Sequence, residues 1–522
     1  MEKTIFELIL KNPSRIFSNS WLMLSLIITL FLLLNSLLFL KDPLIWPDEA
    51  IWADIAGNII KENRMGTDLL KGIFPGIENQ ALWYPYLFFN TIAVWFKLFG
   101  TSIAGQRLIS IVFGGFFLVF FYLFSKSFIN QNENLNKSNW VPALATIALV
   151  IDFTFLRSTR ISRPEIFILF WGILALYLFR KFLENISHRK LSFLLVAGSG
   201  LCSGLAVLYH LMGVFFFISL VVYMLFAEKL KIFKSRFFYL FNLSFIFPVA
   251  IWIFSILPNF DTFWAQFFLV NIRKDLEITW ILDVFQNRQL ELKLIYLGYI
   301  LMTLIFMITA PAIFNRVKYY LFLFSILSVS WFFVIYGKQF WYASYPLPFI
   351  YLTISILLVR LLDKQIWRKP SGLQTLFLLL ISIFTFTILL NLKLQTELII
   401  NNWGDKNSYE KFGDNILKII PENKTIFLSS IPDPYFIFMS RKRNNILYEF
   451  PFVKIDKRNY LNILKTSDYI IYTGSYENTI FQDFLPRYIS KNSQKIYKIG
   501  GESQYRAIII ELKLAKDRVD LE

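Results

Sequence analysis

Two adjacent carboxylates, Asp48 and Glu49, follow the first long apolar run of the chain by only a few residues. Pro47 suits the first position of a helix, and acids in a first turn interact favourably with the helix dipole. The pair therefore either caps a helix or supplies catalytic acids at a membrane boundary. One positioned carboxylate base accelerates a proton transfer by roughly 10²–10⁴-fold.

A second group of polar residues lies at the ends of other apolar runs or in the short loops between them, namely Arg163, Glu165, His210 and Lys338. A carboxylate at the mouth of a membrane helix is costly unless it is paired or hydrated. We therefore expect Glu165 to act as a second acid or to contact an acceptor, with Arg163 or a neighbouring cation as its partner. His210 and Lys338 lie in short loops between apolar runs. Each is either functional or an ordinary interfacial side chain, and the lysine can extend its charge to the headgroups.

Composition requires that these residues be positioned by membrane helices. Hydrophobic residues make up 56% of the 522 residues and charged residues only 17%, whereas an ordinary soluble domain has roughly 25% charged residues. A span needs roughly 20 apolar residues. We predict an α-helical polytopic membrane protein with about eleven spans. The predicted spans are 21–40, 104–124, 140–156, 164–183, 192–208, 211–227, 237–257, 294–314, 319–336, 344–362 and 374–392.

Loop charge predicts the orientation of these spans. Alternate loops are short and rich in Lys and Arg, which is typical of the cytoplasmic side. We therefore expect the protein in the plasma (inner) membrane, with its N-terminus in the cytoplasm and its tail outside the cytoplasm. The net charge of +17 is then explained by loops beside anionic membrane lipids, so we expect no nucleic-acid partner. Arg157, Arg160 and Arg163 are a basic exception on the outer side and suggest an anion there.

We divide the chain into two predicted domains. Residues 1–392 form a transmembrane catalytic domain, whose first outer loop, 41–103, carries two surface helices, the first amphipathic and the second rich in aromatic residues. Residues 393–522 contain no span. Their pattern alternates between helical segments and strand-like segments, which predicts a small soluble extracytoplasmic α/β domain. The helical segments are 409–420, 434–441 and 459–465, and the strand-like segments are 425–429, 446–450, 469–472 and 506–512.

The motifs resemble those of the GT-C membrane glycosyltransferases, in the branch that includes protein O-mannosyltransferases and the lipid A aminoarabinose transferase. The resemblance covers about residues 20–360. The segments that carry it are Pro47-Asp48-Glu49, Trp83-Tyr84-Pro85-Tyr86, Trp95-Phe96-Lys97-Leu98-Phe99-Gly100, Gln106-Arg107-Leu108, Phe113-Gly114-Gly115, Arg163-Pro164-Glu165, Gly204-Leu205-Ala206-Val207-Leu208, Gly337-Lys338 and Tyr345-Pro346-Leu347-Pro348.

The resemblance implies an inverting transfer of a sugar from a polyprenyl-phosphate donor to a hydroxyl of a lipid, glycan or protein. It makes Asp48 the base, and it leads us to expect Lys338, Arg163, His210 and Arg107 at the donor phosphate. Many relatives have lysine where His210 stands and aspartate where Glu165 stands. No acid–lysine pair follows Trp83, which argues against aminoarabinose as the sugar.

Two other functional classes are compatible with many spans: a transporter or lipid flippase, and a receptor or scaffold whose tail binds a partner. Transporters place charge near the bilayer midplane and often contain repeated halves, whereas here the charges gather at one face and no repeat is apparent. We predict no cofactor, because the single cysteine and two histidines form no metal motif; a divalent metal stays an open alternative.

Overall fold

We describe the fold from a computed structural model of the chain. The residues that the structure describes are 20–43, 45–130, 140–271, 290–314, 317–337, 340–361, 371–402, 408–428, 436–437, 440, 442–449, 457–472, 485–500 and 507–517.

Helices account for most of these residues. In chain order they are α1 Ser20–Leu38, α2 Pro47–Glu62, α3 Leu87–Phe99, α4 Ile103–Asn130, α5 Trp140–Ile151, α6 Phe153–Arg160, α7 Pro164–Glu184, α8 Arg189–Tyr209, α9 Val214–Glu228, α10 Arg236–Ile256, α11 Phe260–Asn271, α12 Leu290–Ile313, α13 Val317–Gly337, α14 Leu347–Leu361, α15 Ser371–Asn402, α16 Ser408–Ile419, α17 Lys457–Thr466 and α18 Leu485–Asn492.

The apolar helices confirm the predicted polytopic membrane fold. Within the described ranges, nine helical stretches are long and apolar enough to cross a membrane. A tenth predicted span is the pair α5 and α6, which is bent by 67°. The eleventh is α14, a shorter apolar helix of 15 residues. The predicted span 237–257 corresponds to α10, which ends at Ile256, and a short 3₁₀ turn then leads into the apolar helix α11.

One compact unit consists of Met1–Asp42, Ser110–Ile253 and Leu276–Asn402. Small residues allow its helices to approach closely, as is usual in membrane bundles. A Cβ on Gly200 of α8 would lie 2.2 Å from the Phe241 carbonyl oxygen of α10, and a Cβ on Gly204 would lie 2.5 Å from Pro248. Since residues four apart share a helix face, these two glycines form the contact surface of α8 with α10.

The bend between α5 and α6 occurs at Asp152, which caps α6. Its carboxylate accepts hydrogen bonds from the Phe155 backbone N–H at 2.8 Å, from the Tyr351 hydroxyl at 2.7 Å and from the Tyr299 hydroxyl. The Phe153 backbone N–H donates to Asn391 at 2.7 Å. Because α6 starts a new hydrogen-bonded turn, these side chains replace the bonds that a continuous helix would make.

A second compact unit consists of Pro43–Ile109, Phe254–Asp275 and Trp403–Glu522. It contains a five-stranded sheet in the order β2-β1-β3-β5-β4. The first three strands are parallel and the last two pairings are antiparallel. The strands are β1 Thr425–Leu428, β2 Ile446–Glu449, β3 Tyr469–Tyr472, β4 Ser493–Ile499 and β5 Ala507–Leu512.

The sheet confirms the predicted α/β character of the tail. Four of its strands were expected near these positions, whereas β4 and the preceding helix α18 were not predicted. The helix expected at 434–441 lies mostly outside the described residues. Helix α15 continues past residue 392 to Asn402, and the division into domains 1–392 and 393–522 stays a prediction.

The two helices expected on the membrane surface are present as α2 and α3, but α2 differs from that expectation. Its apolar residues Ile51, Trp52 and Ile55 are buried, and so are its polar residues Asp54 and Asn58. A helix buried on both faces is enclosed by protein instead of lying in an interface. The indole of Trp52 packs edge-on against Phe88 of α3, with ring centroids 5.1 Å apart.

Candidate active site

The acidic pair lies in the first turn of α2, and its two members have different environments. Glu49 is 1% exposed, and Arg107 of α4, which is also 1% exposed, binds it in a bidentate ion pair. The distances are 3.0 Å from Arg107 Nε to Glu49 Oε1 and 2.8 Å from Nη2 to Oε2. Glu49 Oε2 also accepts the Trp46 backbone N–H at 2.9 Å. Glu49 therefore anchors the start of α2.

Arg107 uses its remaining nitrogen for the same segment. Its Nη1 donates to the Pro43 carbonyl oxygen at 2.8 Å, and the neighbouring Gln106 donates to the Glu49 carbonyl oxygen, also at 2.8 Å. A bidentate arginine fixes both direction and distance. This geometry favours a positioning role for Arg107 over the phosphate contact that we expected from the sequence.

Asp48 is the more accessible of the two acids. Its side chain is partly exposed, and the indole Nε1 of Trp46 lies 3.3 Å from its Oδ2. The adjacent ion pair holds the backbone of the turn, so Asp48 projects from a fixed first turn of α2. A partly exposed carboxylate on a rigid support is the arrangement that a general base requires.

The rest of segment 41–103 is held by buried polar contacts. Asp54 accepts the Thr67 hydroxyl at 2.6 Å, and Asn58 donates to the Gly66 carbonyl oxygen at 2.9 Å. Gln266 of α11 accepts the Leu82 backbone N–H at 2.7 Å. Asp54 is 2% exposed and closes the loop on α2, so it supports the site without being available for chemistry.

Arg64, just after α2, adds an ionic clamp to this loop. It pairs with Glu62 at 2.6 Å and with Asp68 at 3.1 Å, and it donates to the Glu78 carbonyl oxygen. Burial by itself would lower the pKa of Arg64, but the hydrogen bonds and charges of Glu62 and Asp68 raise it overall. The loop after α2 is therefore closed by fixed contacts at both ends.

Arg163 and Glu165 form the ion pair that the sequence suggested. Arg163 precedes α7 and Glu165 lies in its first turn, with 3.0 Å between Nη2 and Oε1 and 3.2 Å from Nε to each carboxylate oxygen. The guanidinium carbon lies 3.9 Å from the ring centroid of Trp341. Arg163 is 3% and Glu165 is 2% exposed, so a buried acid and a buried cation satisfy each other.

His210 connects two membrane helices, α8 and α9. It ends α8, and its Nδ1 accepts the Met212 backbone N–H at 3.1 Å. An imidazole that accepts through Nδ1 has its proton on Nε2 when neutral. Lys338, which was also predicted to contact the donor phosphate, lies outside the described residues.

The sequence reasoning missed the partner of Arg157 and Arg160. Asp42 lies 3.3 Å from Arg157 Nε and 3.3 Å from Arg160 Nη1. Arg160 also donates to Asn35 at 3.3 Å and to Gln395 at 3.2 Å. Arg157, Arg160 and Arg163 are thus all paired with acids of the chain itself. The sequence signal for the contacts of Arg157 and Arg160 was Asp42, an acid that directly follows the first predicted span.

Carboxylates do not cluster as metal ligands in the described ranges. Groups of three or more His, Cys, Asp or Glu side chains that could hold a metal ion are not found among those residues. The prediction that no cofactor is used stays a prediction.

The fold is shared with known membrane glycosyltransferases. The structure of ArnT from Cupriavidus metallidurans bound to undecaprenyl phosphate matches with a TM-score of 0.60 and 11% identity, covering 94% of this chain and 97% of that one. The oligosaccharyltransferase of Archaeoglobus fulgidus, tethered with an acceptor peptide, matches with a TM-score of 0.55 and 12% identity, covering 97% of this chain and 78% of that one.

The sequence itself matches one family. Residues 84–253 match the family described as dolichyl-phosphate-mannose-protein mannosyltransferase, and no curated protein matches the chain. The shared fold confirms the predicted GT-C-like fold, and together with the family match it supports the predicted glycosyltransferase. They favour glycosyl transfer over the alternative of a transporter or lipid flippase, and they confirm a multi-pass membrane protein.

Proposed function

We propose that this chain transfers a sugar from a polyprenyl-phosphate donor to an acceptor hydroxyl, with inversion at the anomeric carbon and with Asp48 as the base. The observation that carries this proposal is the contrast within one turn of α2. Glu49 is buried in a bidentate pair with Arg107, whereas the neighbouring Asp48 is partly exposed.

The chemistry needs one base and a stabilised leaving group. The acceptor oxygen attacks the anomeric carbon, its proton passes to the Asp48 carboxylate, and the bond from that carbon to the phosphate oxygen breaks. The departing lipid phosphate is a monoester with a second pKa of roughly 6, so it leaves without a general acid. Attack from the face opposite the leaving group inverts the configuration, as in one-step glycosidases.

Cations and hydrogen-bond donors that stabilise the growing phosphate charge complete the proposed site. His210, whose Nδ1 accepts from the Met212 backbone, would donate through Nε2. Arg163 would contact the phosphate while it stays paired with Glu165, and Lys338 stays a predicted phosphate contact. That Asp48, His210, Arg163 and Lys338 serve one reaction is inferred from loop charges, which assign all of them to the outer boundary.

The class of donor is supported by the related structures. ArnT was determined with undecaprenyl phosphate, and the archaeal oligosaccharyltransferase AglB with a dolichol-phosphate and an inhibitory peptide. Both ligands are polyprenyl phosphates, the lipid product that the proposed reaction releases. We infer the same class of carrier here, with a lipid, glycan or protein hydroxyl as the acceptor.

We place the reaction at the outer face of the plasma membrane, with the N-terminus in the cytoplasm. This orientation is supported by the short basic loops that alternate with longer outer segments. Accessibility labelling of a single cysteine introduced beside Asp48 tests it. Labelling of intact cells by an impermeant reagent is expected, and protection until the membrane is opened would contradict the orientation.

An assay on sealed proteoliposomes separates the proposed transfer from transport. Polyprenyl-phosphate sugar, labelled in the sugar, is supplied with candidate hydroxyl acceptors. We expect release of free polyprenyl phosphate and label in the acceptor. Movement of intact donor across the bilayer, with no bond cleaved, would instead support the transporter.

A further inference from the structure

A second buried arginine, Arg180, lies near the other end of α7. It is 17 residues beyond Arg163 in the sequence, which at 1.5 Å per residue places it about 25 Å further along the helix. Arg180 is only 2% exposed. A buried charge is costly unless it is paired and hydrogen-bonded, so its surroundings must explain its presence.

The protein groups around Arg180 satisfy it incompletely. Its guanidinium carbon lies 5.4 Å from the ring centroid of Phe128 and 5.3 Å from that of Tyr319. Aromatic faces attract a cation but accept no strong hydrogen bond. Two of its buried nitrogens, Nε and Nη2, have no hydrogen-bond partner in the part of the chain that the structure describes. Planar donors of this kind fit a phosphate bidentately.

Arg180 lines a cavity of about 600 Å³. Most of the other lining residues are apolar, among them Val196, Met224 and Phe237. Glu228 and Lys318 also line the cavity, where they pair with each other at 3.6 Å, and both side chains are more than half exposed. A cavity of this size accommodates a small ligand, and its composition fits one with a single anionic group and a hydrocarbon chain.

We propose that this cavity binds an anionic phospholipid, with the phosphate held by Arg180 and an acyl chain against the apolar wall. The site shares no residue with the proposed catalytic site, and its occupation requires no sugar transfer. Apolar lining favours a lipid over free phosphate, because an inorganic anion would leave this wall in contact with water.

Lipid binding to purified, delipidated full-length protein tests the proposal. Native mass spectrometry would record adducts of phosphatidylglycerol, of zwitterionic phosphatidylcholine and of inorganic phosphate. We expect one phosphatidylglycerol to bind the wild type most tightly, and Arg180→Gln to weaken it roughly 10- to 100-fold through loss of charged hydrogen bonds. Equal binding of phosphatidylglycerol by Arg180→Gln would overturn the site.

Arg236→Gln is the matched control. Arg236 also packs against two aromatic rings, Phe193 and Phe237, at 5.2 and 5.4 Å, but it is exposed and does not line the cavity. Its loss removes the same charge, so unchanged binding is expected. An equal loss in both variants would show that net charge alone attracts the lipid, which would contradict a specific site.

A second variant tests the cavity with Arg180 retained. Ala227 lines the cavity, and Ala227→Phe should fill it and displace the acyl chain. Tight lipid binding by a monodisperse Ala227→Phe protein would overturn the proposed chain position. Inorganic phosphate that binds as tightly as phosphatidylglycerol would overturn the choice of a lipid as ligand.

Discussion

Helices α2 and α7 begin in the same way and differ in what stands beside their buried acid. Each starts with proline and has a glutamate in its first turn, Glu49 or Glu165. Each glutamate is bound by a buried arginine, Arg107 or Arg163. Only α2 has a second, partly exposed carboxylate in that turn.

The comparison separates a buried anchoring acid from a partly exposed one. Both glutamates are almost completely buried, and their ion pairs fix the start of each helix. Asp48 shares the backbone of α2 but not the burial of Glu49. In the first turn of α2, burial therefore distinguishes the proposed base from its support, although adjacent residues of the same chemical type occupy the two positions.

Breaking the anchor of α2 is expected to have the largest effect on stability. Glu49→Gln leaves the buried Arg107 without its counter-charge, which costs about 3–5 kcal/mol of unfolding free energy for a buried pair. Unfolding in detergent, followed by loss of the monodisperse peak, measures it. The double variant Glu49→Gln with Arg107→Gln should recover part of the loss, since no charge is then unpaired. Wild-type stability of the single variant would refute the anchoring role.

The corresponding pair of α7 should show a smaller effect when its charge is kept. Arg163→Lys loses the bidentate geometry and the planar contact with Trp341, so we expect a loss of about 1–3 kcal/mol in unfolding free energy. Arg189→Lys, at an exposed helix start, is the matched control and should unfold as the wild type does. If both lysine variants behave alike, the planar stacking contributes nothing.

Neutralising an exposed acid of α2 should have the smallest effect on stability. Glu62 is exposed and pairs with Arg64, and exposed ion pairs contribute about 0–1 kcal/mol. Glu62→Gln should therefore keep both the stability and the transfer rate of the wild type. A large loss of transfer in this variant would show that α2 tolerates no change of charge, and it would weaken the special position of Asp48.

Removal of divalent metals should have no effect. Because the lipid phosphate departs as a stable anion, the proposed steps need only a carboxylate and protein cations. We expect transfer rates in EDTA to equal those without it. Loss of transfer on chelation, restored by one added metal, would overturn this expectation.

Apolar runs and loop charges were sufficient to predict the membrane fold, since a span must be long and apolar whatever its neighbours. They could not reveal the bend at Asp152, because its hydroxyl partners Tyr299 and Tyr351 lie far along the sequence. The pairing of Arg163 with Glu165 was accessible from their spacing. The pairing of Glu49 with Arg107 was not accessible, since it joins residues 58 positions apart. Their burial favours an anchoring role, and the catalytic role of Glu49 and the phosphate contact of Arg107 stay predictions.

The most direct test of the central claim is the single-turnover rate of sugar transfer by Asp48→Asn, measured beside donor affinity and beside Glu62→Gln. Loss of one carboxylate base should slow transfer by roughly 10²–10⁴-fold while the protein stays folded and the dissociation constant for the donor stays close to that of the wild type. Transfer by Asp48→Asn at a near-normal rate would contradict the assignment of Asp48 as the base.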